Sequence, residues 1–404
     1  MKWIKKDADY RLPVKSWCET VDNAALKQAK NLANHPATVH HIALMPDCHV
    51  GYGMPIGGVI AVKDAVIPNA VGVDIGCGMV AVETNIPAER LADMRLRREL
   101  LDRIKAVIPA GEGVTRQTEI PWEGFDKFRD ENAARTLSWP SKLDRVNLGT
   151  LGGGNHFVEV QTSEEGFVWL MIHSGSRNLG ARMARYYHEK AQKLNALWRV
   201  TLPDQELAFL PIETEEGKNY FTDMQFALAY ALENRRVMMQ CLKEQIAETF
   251  SEAEFKLEVN IHHNYAAREP HYGEYLYVHR KGATRARLDE LGIIPGSRGT
   301  PSYIVRGLGN PESFYSCSHG AGRVFGRSEA CRKLTIEECD KAMEGICHDR
   351  WNKRRVKWGK KTGNAEWDLE EAPQAYKDIE DVIASELDLV EPLVKLRPLL
   401  VLKG

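Results

Sequence analysis

The sequence predicts an α+β fold in a single large domain, residues 1–404. Three observations carry this. Helical and strand-like stretches are mixed but do not alternate regularly, which disfavours a doubly wound parallel sheet. No internal repeat and no long Pro/Ser linker divides the chain. Glycine is clustered: residues 51–78, 149–154 and 292–326 hold seven, four and eight glycines, 19 of the 32. Glycine collects where backbone turns sharply or approaches a ligand closely. Three distant segments of one character are therefore read as converging on one site.

Taken in order, strands are predicted at Val39–Met45, Gly58–Val62 and Met79–Thr84, which are rich in β-branched and apolar residues. Ala88–Ile108 reads as an amphipathic helix with Leu91, Met94, Leu100, Leu101 and Ile104 near one face. Phe157–Gln161 and Val168–His173 follow as strands, then a helix at Arg182–Trp198. The polar stretch Glu213–Asn219 reads as a loop. Asp223–Phe250 reads as the longest helix, with Leu228, Leu232, Met239, Leu242 and Ile246 at helical spacing and Asp223 as N-cap. Strands at Tyr275–Arg280 and Ser302–Arg306 and a helix at Tyr376–Leu389 complete the prediction.

Lys plus Arg total 54 against 56 Asp plus Glu, so the net charge is −2. That excludes a strongly basic chain and leaves a local patch as the electrostatic route to a nucleic acid. One candidate is WNKRRVKWGKK (351–361), where Lys353, Arg354, Arg355 and Lys357 sit among tryptophans in a pattern suited to single-stranded nucleic acid. A solvated charge run is the blander reading. The start, MKWIKKDADYR, has no secretory core, and no run nears the ~20 apolar residues of a membrane helix. The eight cysteines form no C-x-x-C pair. A cytoplasmic protein with reduced thiols and no membrane association is expected.

The first glycine-rich segment carries MPDCHVGYGMPIGG (45–58) and GVDIGCGM (72–79), with Asp74 and Cys77 three apart. The second is GTLGGGNHF (149–157), bearing Asn155 and His156, with Glu159 just beyond. MIHSGSR (171–177) ends a strand at His173, and NIHHNY (260–265) offers His262 and His263. Carboxylate, thiolate and imidazole together suit a divalent metal. Read singly, each is more often an ordinary packed residue. The donor types leave zinc, a late transition metal, manganese and magnesium open.

The third segment includes PGSRGTPS (295–302) and SCSHGAGR (316–323). Gly320, Gly322 and Gly326 surround His319 and Arg323, and Ser297, Ser302, Ser316 and Ser318 add hydroxyls. Backbone N–H groups in such turns cradle anions, and Arg makes forked contacts to phosphate. His319, between small neighbours, has the placement of a nucleophile that could attack phosphorus. The bland alternative is a turn-rich loop with a structural Arg. No Walker-type GxxxxGK[ST] and no KxDG lysine is present.

PDCHVGYG, GVDIGCGM, GGGNHF, HSGSR, HHNY, PGSRG, CSHGAGR, AYKDI and the terminal VLKG occur in this order over residues 40–404. Together they resemble the RtcB family of RNA ligases. The resemblance implies packed central β-sheets surrounded by helices. It implies a GTP-dependent enzyme with two Mn²⁺ that joins RNA 3′-phosphate or 2′,3′-cyclic phosphate ends to 5′-hydroxyl ends, in RNA repair or tRNA splicing. The expected intermediates are a guanylate on His319 and an RNA-3′-pp-5′-G end. Asp74, Cys77 and His156 would hold one ion, and Cys77, His173 and His263 the other. Guanylate contacts would come from Asn155, His156, Glu159, His263, Asn264, Pro295, Gly296, Ser297, Arg298, Ser302, Gly320, Ala321, Gly322, Arg323, Tyr376 and Lys403. Glu159 could accept from guanine N1–H and the amino group, and Lys403 could donate to O6. The resemblance leaves room for an archease-like activating protein as a partner. Two other readings differ in kind: a phosphodiesterase that only opens cyclic phosphates, and an RNA-end-binding accessory protein. The first would not need GTP or His319, and the second would bind without turnover.

Overall fold

A computed structural model describes residues 1–136, 138–353 and 367–404. Its larger sheet runs in the order Phe255–His262, Gly78–Pro87, Phe167–Ser174, Phe157–Ser163, Val390–Lys403, Ser302–Gly307, Leu291–Ile294, with Cys347–His348 added in parallel beside Val390–Lys403. Side chains along each strand alternate between faces. Val80, Val82, Val158, Val160, Leu170 and Ile172 point outward. They pack with Leu100, Leu101 and Ile104 of helix Met94–Val107 and with Met238, Met239, Leu242 and Ile246 of helix Glu215–Thr249. Their neighbours Met79, Ala81, Phe157, Trp169 and Met171 face the other way and meet Val259, Ile293, Ile304 and Leu396. That inner cluster draws on all seven strands of the main path, so the sheet curls round its own inner face into a near-barrel. Each fully buried side chain of this kind contributes about 1.5–3 kcal/mol. The same alternation turns Glu159, Gln161 and His173 to the inner face.

The second sheet has the order Trp3–Lys5, Val14–Ser16, Thr38–His49, Ile56–Val62, Glu274–Lys281, Asn264–His271. Ile42, Leu44, Ile60 and Val62 pack on helix Asn23–Ala33 through Ala25, Ala29 and Leu32. Ala43, Met45, Val59, Ala61 and Val278 face Ile294, Tyr303 and Val305 of the larger sheet. The expected α+β class, with packed central sheets and helices outside, is what the structure has. The chain passes from one sheet to the other at His263, between strands Phe255–His262 and Asn264–His271.

Several predicted elements differ from those observed. The longest helix begins at Glu215, so Glu213–Asn219 is mostly helix rather than loop. Thr214 is its N-cap, accepting from the Gly217 N–H at 3.1 Å, and Glu215 and Glu216 complement the helix dipole. Asp223 is not a cap: it lies buried inside the helix and accepts from Arg135, Tyr187 and Trp139. Ala88–Ile108 splits into a 3-10 turn, Ala88–Leu91, and helix Met94–Val107, because Asp93 caps a new start through Arg95 N–H. Arg182–Trp198 starts earlier, as Asn178–Leu197. Tyr376–Leu389 shrinks to Ile379–Ala384 behind the Asp378 cap. The 14-residue strand Val390–Lys403 was not foreseen, since Pro392 and Pro398 argue against a central strand. Both prolines sit beside shifts of register in the pairing, where the ladder is interrupted and a missing N–H is tolerated.

Candidate active site

Six predicted residues from five distant segments meet where the two sheets join. Cys77 Sγ lies 3.2 Å from His173 Nε2 and 3.5 Å from His156 Nε2. His156 Nε2 lies 3.1 Å from Asp74 Oδ2, and His173 Nε2 lies 3.4 Å from His263 Nε2. Two ligand groups result, Asp74–Cys77–His156 and Cys77–His173–His263, sharing the Cys77 sulfur. Backbone carbonyls set the imidazoles. His156 Nδ1–H donates to Leu151 O at 2.9 Å, and His173 Nδ1–H to Asn155 O at 3.1 Å. Each Nε2 therefore carries the free lone pair that a metal requires. Gly175 permits the close approach: a Cβ there would sit 2.5 Å from Asp74 Oδ1.

The electrostatics fit a cation. Burial pushes the Cys77 thiol well up, with Asp74 adding to it, and holds His173 and His263 well below the ordinary imidazole range. Burial also opposes ionisation of Asp74, but its close neighbours His156, Cys77 and Arg177 outweigh it and lower the carboxyl. A thiol and neutral imidazoles packed this closely lack a positive charge that a divalent ion would supply, and that charge would favour the thiolate. Both groups thus fit a divalent metal.

His319 adjoins this cluster, its ring centroid 4.8 Å from that of His263. Its Nδ1–H donates to Asp47 Oδ2 at 2.5 Å, and its backbone N–H donates to the same oxygen at 3.1 Å. The pairing leaves Nε2 as the free base. The His319 side chain is 15% exposed, enough for a substrate to reach it, whereas Asp47 is fully buried. Gly282, at φ +60°, lets the backbone come up to the ring: a Cβ there would lie 3.0 Å from His319 Cε1. Behind His319, Glu386 accepts from the Ser318 N–H at 2.8 Å and from the Ser318 hydroxyl.

Further predicted residues follow along and beside the inner face of the larger sheet. Gln161 Nε2 donates to Glu159 Oε2 at 2.6 Å and to Ser302 Oγ at 3.3 Å. Burial pushes the Glu159 carboxyl up to about 8 and the Lys403 ammonium down to about 7. Lys403 donates to Gly154 O and, at 2.9 Å, to His156 O. Gly296 N–H reaches Ser302 Oγ at 3.3 Å, and Ser297 N–H donates to Thr300 Oγ1 at 2.6 Å. A Cβ on Gly320 would lie 3.2 Å from Pro295 O, so the 295–302 and 318–323 turns abut. Ala321 is buried, and Gly322 O accepts from Lys377 N–H. Arg323 Nη1 donates to the Tyr376 hydroxyl at 3.1 Å and to Glu371 at 3.2 Å, and Tyr376 in turn donates to Glu371.

Some predicted residues serve the framework. Asn264 Nδ2 donates to Asp74 O at 3.0 Å and its Oδ1 accepts from Gly282 N–H at 2.7 Å, tying the loop that carries Asp74 and Cys77 to the turn beside His319. His262 lies outside both ligand groups, 3.0 Å from Gly76 O through Nδ1. Ser316 and Ser318 are buried in hydrogen bonds to Arg280 and Glu386. Trp351 is 6% exposed and packs with Cys339, Met343, Leu369 and Ala372, so it is not a free stacking surface. Lys353 lies over the Trp367 ring, and Arg354, Arg355 and Lys357 fall outside the described residues.

Sequence reasoning missed Asp47, Glu386, Asn234 and Arg235. Asn234 Oδ1 accepts from the N–H groups of Gly149 and Thr150, while its Nδ2 donates to Thr150 O, Ser174 Oγ and Gly175 O. Arg235 Nη1 donates to Gly76 O and Ser174 O, both at 2.9 Å. Two adjacent residues of the long helix thus clamp three of the site's loops. Only Asp47 left a trace, as part of the PDCHVGYG block.

The family model described as "tRNA-splicing ligase RtcB" matches residues 28–404. This chain belongs to the RtcB family. A relative named "RNA-splicing ligase RtcB" from Escherichia coli K12 is 40% identical over 97% of this chain and 97% of its own length. Relatives named "tRNA-splicing ligase RtcB" are 33% identical in Archaeoglobus fulgidus, over 96% of this chain and 92% of theirs, and 31% identical in Thermococcus kodakarensis, over 94% and 91%. The RtcB match spans every residue of the two ligand groups and His319.

Proposed function

We propose that the protein is a GTP- and manganese-dependent RNA ligase acting as one catalytic unit over residues 1–404. It would join RNA 3′-phosphate or 2′,3′-cyclic phosphate ends to 5′-hydroxyl ends, in RNA repair or tRNA splicing. The observation that carries this reading is the Asp47–His319 pair set against two ligand groups that share Cys77. Family membership and the names of the relatives support the ligase activity.

In this reading His319 Nε2 attacks the α-phosphorus of GTP, forming an N–P bond as the bond to pyrophosphate breaks. Asp47 holds Nδ1–H and offsets the positive charge that builds on the ring. An RNA 3′-phosphate oxygen then displaces His319 from phosphorus, giving RNA-3′-pp-5′-G. The 5′-hydroxyl attacks the RNA 3′-phosphorus and GMP leaves. Activation is needed because a 5′-hydroxyl end carries no leaving group. A cyclic end is first hydrolysed to the 3′-phosphate. Asp74, Cys77 and His156 would hold one manganese and Cys77, His173 and His263 the other, and the ions supply positive charge against the phosphates. Glu159 faces the guanine N1–H and amino group, with Ser302, Tyr376, Arg323 and the 295–298 and 320–322 turns around the guanylate. A cytoplasmic setting and an archease-like activator belong to the same proposal. Among the described residues, no helix is long and apolar enough to cross a membrane.

Incubation with labelled GTP and Mn²⁺ should yield an acid-labile, alkali-stable protein adduct that His319→Ala abolishes. No adduct with any divalent metal would sink the reading.

A further inference from the structure

Strand Thr38–His49 does not run straight past the site. Its pairing with Ile56–Val62 jumps from Leu44 opposite Gly58 to His49 opposite Ile56, so that four residues, Met45, Pro46, Asp47 and Cys48, stand against Gly57. A bulge of this kind bends the strand and re-aims a side chain. Here it carries Asp47, whose carboxylate holds the His319 ring N–H and backbone N–H. Gly57, at φ +80°, makes room for it: a Cβ there would lie 2.8 Å from Asp47 Oδ1. The bulge also takes carbonyl groups out of the ladder, and a buried carbonyl needs another donor.

Lys377 supplies that donor. Its Nζ donates to Pro46 O at 2.8 Å and to Cys48 O at 3.0 Å, the carbonyls of the residues on either side of Asp47. It also donates to Cys18 Sγ at 3.4 Å. An ammonium has three donors and no acceptor, so these contacts engage all three and leave none for a phosphate. The Lys377 backbone acts on the other partner of the pair. Its N–H donates at 3.0 Å to the carbonyl of Gly322, three residues beyond His319. Gly322, at φ +73°, packs so closely that a Cβ there would strike the Asp47 carbonyl oxygen. One residue thus grips the bulge on both flanks of the carboxylate and ties it to the turn that carries His319.

We propose that Lys377 is a positioning residue for the attack by His319: it fixes the bulge that aims Asp47 at His319 Nδ1 and so sets the direction of Nε2. This rests on the His319 chemistry proposed above and adds a residue that acts on it through Asp47. Its three donors are spent on protein acceptors, so its part is geometric and not contact with the reacting phosphate. A displacement of about 1 Å in an attacking group can cost on the order of 10²-fold in rate. Removing the ammonium should therefore slow the attack on phosphorus and leave the binding of metal and nucleotide in place.

The test is a double-mutant cycle on the full chain, read as the single-turnover rate of adduct formation with labelled GTP and Mn²⁺. Lys377→Met keeps the aliphatic stem and removes the donors. It should slow the adduct step roughly 10- to 100-fold, with bound manganese and the GTP concentration for half-maximal rate unchanged. Added to Asp47→Ala, the same substitution should cost no more than about twofold further, because the group through which Lys377 acts is gone. A general structural role predicts the opposite, that the two losses multiply. Multiplying losses overturn the proposal. So does a folded Lys377→Met that reacts within about twofold of wild type, or one that has lost its bound manganese. If Lys377→Met does not fold, Lys377→Gln takes its place in the cycle under the same criteria. Wild-type protein that forms no adduct would instead overturn the His319 reading itself.

Discussion

Substituting Asp47 should separate the reactivity proposed for His319 from the stability of the fold. Asp47 Oδ2 accepts both the His319 ring N–H and backbone N–H, while Oδ1 is buried with no partner. Asp47→Asn keeps the shape but removes the charge that favours Nδ1–H and compensates the developing imidazolium. A hydrogen bond to a charged group is worth about 1.5–3 kcal/mol, which converts to a rate loss of roughly 10- to 150-fold. Asp47→Ala releases the ring altogether, and the loss should reach about 10³-fold. Asp47→Asn should change stability little, because the amide oxygen can still accept from both His319 N–H groups, whereas Asp47→Ala strands both and should lose stability as well. The assay is the single-turnover rate of adduct formation with labelled GTP, paired with thermal unfolding of the same samples. A folded Asp47→Ala that guanylates within threefold of wild type would refute the reasoning. So would an Asp47→Asn in which activity and melting temperature fall in parallel.

Three other outcomes are expected. Asn234→Ala strands the buried N–H groups of Gly149 and Thr150, so denaturant titration should show a loss of about 2–4 kcal/mol. Cys77→Ala should empty both ligand groups, and elemental analysis that still finds two ions per chain would contradict the shared sulfur. Thermal unfolding should peak between two pH limits. Burial holds His35, His41 and His279 near 4 against 6.5, so the unfolded chain takes protons first; their contribution is complete above pH 6.5 and is lost as pH falls toward 4. Burial pushes Glu386 up to about 8 against 4.5, so its contribution is complete below pH 4.5 and is lost as pH rises through 8. Each group contributes at most about 1.4 kcal/mol per pH unit, and Glu386→Gln should flatten the alkaline limb.

Local physics made much of the fold legible. The predicted strands lie within observed ones because alternation and β-branching are properties of short windows. Helix ends were less legible: Thr214 and Asp223 are both capable caps, and the choice between them depended on Arg135, Tyr187 and Trp139, which bury Asp223 in mid-helix. Strand Val390–Lys403 was illegible because two prolines contradict it locally and only its partners reveal the bulges.

The site divides in the same way. Donor type and glycine placement belong to the sequence, so Asp74, Cys77, His156, His173 and His319 could be picked out as candidates, and order along the chain tied them to a family. Which imidazole nitrogen is free and which carboxylate orients His319 were decided only in three dimensions, while the choice of His263 over His262 came from the family resemblance and not from spacing. The reason is physical. Asp47 and His319 are 272 positions apart, and Asn234 reaches its loops across some 60 to 85, so no local rule links them. Only the joining of two sheets at His263 brings these groups within a few ångströms, and only at that range does one side chain set the proton of another.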